Sequence, residues 1–79
     1  MNPTMGIIYE GILQKEGISF RELLNSLTNK FSTVSEEILK KDLARTLLWL
    51  LLNGFISIKI SENEINITSL SKEIVGDTI

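Results

Sequence analysis

Cysteine and histidine are both absent from the 79-residue sequence. No disulfide can therefore brace the chain, and the common zinc sites and the Cys/His and Ser/His catalytic arrangements are excluded. Long apolar runs are lacking too. The longest, residues 47–52, falls far short of the ~20 residues that span a bilayer. Residues 1–4 lead straight into an amphipathic segment without a charged-then-apolar leader, so a cytoplasmic location is expected, with no membrane partner. Charge of either sign is in little excess. A formal net charge of −2 and a pI near 5.0 give no global attraction to nucleic acid or to an anionic surface, and any such binding must rest on a local basic patch. The glycines at 6, 11 and 17 follow no strand and form no phosphate loop, and no three carboxylates stand at metal-loop spacing. No cofactor, metal or small-molecule substrate is expected.

What is present is a globular composition, 43% hydrophobic and 23% charged, which requires a packed core. The length allows one domain over residues 1–79. At this size a single core supplies only ~3–5 kcal/mol, so packing stands alone or is completed by a second subunit.

Helical spacing of Met5, Ile8, Tyr9, Ile12 and Leu13 predicts a first helix over residues 3–16, opened by Pro3 and stopped by Gly17. Ser19-Phe20-Arg21-Glu22 is a capping box, and Phe20, Leu23, Leu24, Leu27 and Phe31 supply the stripe of a second helix ending near Lys30. Thr33-Val34-Ser35-Glu36 offers another capping box before a third helix over about 35–53, ended by Gly54. Residues 55–60 alternate strictly, residues 61–64 are polar and turn-like, and residues 65–68 alternate again. This describes a β-hairpin whose inward face is Ile56, Ile58, Ile60, Ile65 and Ile67. The pattern admits a short closing helix over 70–75.

Three short helices followed by a hairpin is the order of a winged helix-turn-helix, an α+β fold with the hairpin as its wing, and the residues carry a matching resemblance. The stretch Gly17 through Phe31 resembles the opening of helix two in winged-helix regulators. Asp42-Leu43-Ala44-Arg45-Thr46-Leu47, with Leu50, Gly54, Phe55 and Ile56, resembles the end of their recognition helix and the glycine before the wing. Ile67-Thr68-Ser69-Leu70-Ser71-Lys72-Glu73-Ile74 is similar to the segment after the wing in archaeal and bacterial members, with Ser71 where they usually carry glycine. A second similarity joins Thr46-Leu47-Leu48-Trp49-Leu50-Leu51-Leu52, Ile56-Ser57-Ile58, Ile65-Asn66-Ile67 and Ile18-Ser19-Phe20-Arg21-Glu22-Leu23-Leu24 to the C-terminal winged helix of kleisin subunits, which docks on the head of a chromosome-organising ATPase. The glutamine that kleisins place on the following strand is missing.

The third helix carries the candidate site. Leu39, Leu43, Leu47 and Leu50 fall on one face and are assigned to the core. Ile38, Lys41, Arg45, Leu48, Trp49 and Leu52 form a second stripe on the roughly opposite side, charged in its first half and apolar in its second. Winged-helix DNA binders usually carry Lys, Arg or Glu at the positions matching Leu48, Trp49, Leu51 and Leu52. Two readings follow. The apolar residues are covered within the subunit by the hairpin, the N-terminal helix or a C-terminal helix, as such stripes usually are, or they centre an interface in which Ile38, Leu48, Trp49 and Leu52 take part. In the first half, Lys40, Lys41 and Arg45, with Thr33 and Ser35 at the helix start, can reach phosphates and base edges in a major groove, and Lys59 and Arg21 can add backbone contacts. Glu36, Glu37, Glu62 and Glu64 oppose this. Glu62 and Glu64 are expected in an exposed turn and Glu36 and Glu37 at a helix start, without the burial that separates an acid from a base, so no enzyme is expected.

Two functions stay in view. The winged-helix regulator resemblance implies a homodimeric transcription regulator bound to double-stranded DNA. The apolar outer face and acidic hairpin tip imply a protein-interaction module instead.

Overall fold

The computed structural model describes residues 3–70. Its elements run α1 (Pro3–Gln14), β1 (Ile18–Ser19), α2 (Phe20–Lys30), α3 (Glu36–Leu52), β2 (Ile56–Ser61) and β3 (Glu64–Ser69). The architecture is a small α+β fold, three helices against an antiparallel sheet of order β1-β3-β2. The expected closing helix over 70–75 lies, beyond Leu70, outside the described residues.

Local chemistry fixes each boundary. Gly17 adopts φ +75, a backbone region that disfavours side chains, and α1 stops two residues earlier than its apolar spacing suggests. Ile18 and Ser19 then pair with Ile67 and Asn66 as a short strand that hydrophobic spacing alone did not disclose. Gly17 N–H donates to the Ile67 carbonyl at 3.0 Å, and Asn66 Nδ2 donates to the Gly17 carbonyl at 3.0 Å. Ser19 opens α2 with the expected capping box. Its hydroxyl accepts from Glu22 N–H at 3.1 Å, and Glu22 Oε1 accepts from Ser19 N–H at 3.1 Å.

The start of α3 corrects the sequence reading. Ser35, not Thr33, is the N-cap, accepting from Ile38 N–H at 3.3 Å. Residues 31–34 are held in a turn by Val34 N–H donating to the Phe31 carbonyl, so Thr33 finishes the connection and no reciprocal box forms at Glu36. The far end is a Schellman motif. Gly54, at φ +78, donates to the Leu51 carbonyl, and Phe55 donates to the Leu50 carbonyl at 2.9 Å.

The core gathers Ile8 and Ile12 of α1, Leu23, Leu24 and Leu27 of α2, Leu39, Leu43, Leu47 and Leu50 of α3, and Ile18, Ile56 and Ile67 of the sheet. Ile18, Ile67 and Ile58 stand in one row across the three strands. Three members of the expected core lie elsewhere. Leu13 is exposed, because Ile8 and Ile12, one turn apart, define the inner face of α1. Ile60 and Ile65 pair with each other on the inward face of the hairpin but project past the helices, and both are exposed.

Candidate functional site

Burial of Leu39, Leu43, Leu47 and Leu50, one step of three or four residues after another, fixes the rotation of α3. Thr46 is buried on the same side and was missed by a reading that followed leucines only. The opposite side is therefore turned outward along the whole helix. Its first half carries Glu37, Ile38, Lys40, Lys41 and Arg45, all exposed.

Its second half is apolar and equally uncovered. Leu48 is 55% exposed, Trp49 44%, Leu51 39% and Leu52 75%, joined by Phe55 at 37%, Ile60 at 72% and Ile65 at 36%. Neither α1 nor the hairpin covers this stripe: both flank these side chains and leave them open, and the third candidate cover, a closing helix over 70–75, lies beyond Leu70 outside the described residues. The reason is directional. The hairpin returns antiparallel along α3 with Ile58, Ile60 and Ile65 across a shallow groove from Ala44, Leu47, Leu48 and Leu51, so it walls one side of the stripe without crossing it.

On the other side of the stripe, Trp49 stacks on Phe55, which meets Tyr9 edge to face. Met5 and Gly6 complete an apolar recess there with Tyr9, Trp49, Leu50 and Phe55. The two grooves share the ridge of α3, and together they make one continuous apolar face. Phe20, Phe55, Ile60 and Ile65 belong to that face and were not in the sequence-based site. For Ile60 and Ile65 the signal lay in the hairpin's alternation, whose inward face is longer than the helix surface available to cover it.

The residues assigned to nucleic acid are only partly gathered. Lys40, Lys41 and Arg45 lie together on α3, and no ion pair among the described residues engages them. Thr33 is exposed in the preceding turn, and the Ser35 hydroxyl is engaged as the helix cap. Lys59 pairs with Asn66 on the sheet face turned away from Ile58 and Ile60, so strand alternation separates it from the α3 cluster. Arg21 shares a groove with Asn63 and Glu64 at the hairpin tip. Glu62 and Glu64 are exposed at that tip.

At the other titratable cluster, Lys15 bonds Glu22, and this bond, then the Ser19 N–H, holds the Glu22 carboxyl below its ordinary value. The role is structural, since these contacts belong to the α2 cap. Among the described residues no three metal-ligating side chains come together, and no helix is long and apolar enough to cross a membrane. Compared with known proteins, the chain matches no family model, no curated protein and no solved structure.

Proposed function

We propose that the protein is a non-enzymatic binding module of the winged helix-turn-helix kind, and that it docks on another protein with the outer face of α3 and the adjoining hairpin. Support for the fold assignment is the element order, with a two-residue strand before α2 pairing with the second strand of the hairpin, which becomes the central strand of the sheet. The observation that carries the docking role is the exposure of Leu48, Trp49, Leu51 and Leu52 beside Ile60 and Ile65. In a winged helix that reads DNA, the third helix and the wing flank the duplex. Here that position is apolar between an α3 start of mixed charge and an acidic hairpin tip. An apolar surface of this extent, with a tryptophan near its middle, is the composition of an interface centre.

The test uses Leu52, which has no core contact to lose. Wild-type protein and the Leu52→Glu variant are immobilised and offered the same cell extract, to which labelled wild-type chain has been added. Proteins retained by the wild type and lost by the variant are expected, and identical retention by both would sink the docking reading.

A second reading has its own observation. Lys40, Lys41 and Arg45 stand exposed along the first half of α3, where they can neutralise phosphates of double-stranded DNA. Under it, a labelled duplex binds at low salt, affinity falls steeply as salt is added, and Lys41→Ala or Arg45→Ala each weakens binding across all sequences. No anisotropy change at low salt removes it.

A further inference from the structure

We infer that the occupant of the apolar face is a second copy of this chain, joined through antiparallel pairing of α3 with its twofold mate. The inference rests on the docking reading above and deepens it. Taking roughly 200 Å² for a large apolar side chain, the exposed fractions of the seven residues on the face amount to on the order of 700 Å². That exceeds the ~300–600 Å² of the largest patch on a typical monomer and approaches the ~800 Å² that each partner contributes to a stable interface of standard size.

Spacing says what kind of surface fits. Ile38, Lys41, Arg45, Leu48 and Leu52 recur at intervals of three, four, three and four residues along exposed α3. The apolar members Leu48 and Leu52, one turn apart, give a short ridge by which one helix packs against another, and the charged Lys41 and Arg45 lie before it. A helix with the same ridge is at hand in every other copy of the chain, and a twofold contact uses one patch twice.

Charge then selects the direction. Parallel pairing would set Lys41 against Lys41 and Arg45 against Arg45. Antiparallel pairing about the middle of the apolar half sets Leu48 against the partner's Leu52, and Leu52 against the partner's Leu48. Arg45 of each copy then overhangs the end of the other α3. That last turn carries no basic residue and presents the negative pole of the helix. The apolar leucines meet, and no like charges face one another along the contact.

The native chain has no cysteine, so disulfide trapping can read the arrangement directly. Sedimentation of the wild type across micromolar concentrations should give twice the 8.9 kDa chain mass. Leu52→Glu should give a monomer with an unchanged far-ultraviolet dichroism spectrum. A mixture of Leu48→Cys and Leu52→Cys proteins should oxidise chiefly to the mixed dimer, well ahead of either variant alone. A wild type that stays monomeric overturns self-pairing and leaves the face open to a different protein. A dimer that survives Leu52→Glu overturns both this inference and the docking role of α3. Preferential Leu48→Cys homodimers would show the parallel arrangement and overturn the antiparallel one.

Discussion

Trp49 lies nearly face to face on Phe55, with ring centroids 5.9 Å apart and planes inclined by 11°. Phe55 is the residue just past Gly54, so the stack supplies the hydrophobic contact that accompanies a Schellman helix end. Trp49 thus has one ring face committed to ending α3 while much of its remaining surface stays open. Phe55→Leu keeps apolar bulk but removes the stack, and an aromatic pair is worth about 0.5–1.5 kcal/mol beyond its burial. A urea midpoint lowered by a corresponding amount is expected at fixed protein concentration, with altered emission from the single tryptophan. An unchanged midpoint would show that the pair does not support the helix end.

Leucines on the two sides of α3 should respond in opposite ways. Leu43 is fully buried, and Leu43→Ala should cost about 2–5 kcal/mol. A domain of this size holds only ~3–5 kcal/mol in its core, so the variant should be largely unfolded by circular dichroism. Leu48→Ala touches no core contact. In a dilute, monomeric sample its effect should stay within about 0.5 kcal/mol.

Acid should weaken the α2 cap. Because Lys15 and the Ser19 N–H hold the Glu22 carboxyl below its ordinary value in the folded chain, ionised Glu22 favours folding. That contribution is complete above the unfolded-chain pKa and is lost as pH falls through the lower folded value. Glu22→Gln should flatten the decline of the thermal midpoint over that acidic window and lower stability at neutral pH. Parallel acid profiles for the two proteins would contradict the assignment.

The hairpin tip offers a gain. Glu62 and Asn63 stand at φ +48 and +68, the two positive angles of a two-residue hairpin loop. Glycine reaches such angles without a side-chain penalty, so Asn63→Gly should raise stability by a few tenths to about 1 kcal/mol. A lowered melting temperature would mean that Asn63 makes contacts worth more than the relief.

Much of this fold is legible in residue patterns because local rules and the core agree. Ser19 and Glu22 announce α2 by a reciprocal cap, Gly54 announces the end of α3, and the Leu39-Leu43-Leu47-Leu50 stripe is buried as its spacing requires. Thr33 misleads because Ser35 offers an equally good hydroxyl two residues on, and the turn closed by Val34 decides between them. The strand Ile18–Ser19 has no signature of its own. Two residues cannot show alternation, and their pairing depends on a partner 49 residues away. At the candidate site, the outward stripe of α3 was readable by periodicity. Its continuation onto Phe55, Ile60 and Ile65 was not, because hairpin alternation assigns a face without saying how far the helices reach across it.

The clip between residues 17–19 and residues 66–67 also sets an order of events in the cell. Translation delivers the chain from its N-terminus, so both early helices emerge while the strand that completes Ile18 is still unmade. Until β3 clears the ribosome, the Ile67 carbonyl and the Asn66 amide are missing from the Gly17 turn. Closure of that long loop is the late, entropically slow step. A nascent chain halted before residue 66 should therefore remain open to protease at the α1–α2 junction, and emergence of residues 66–69 from the ribosome should protect it.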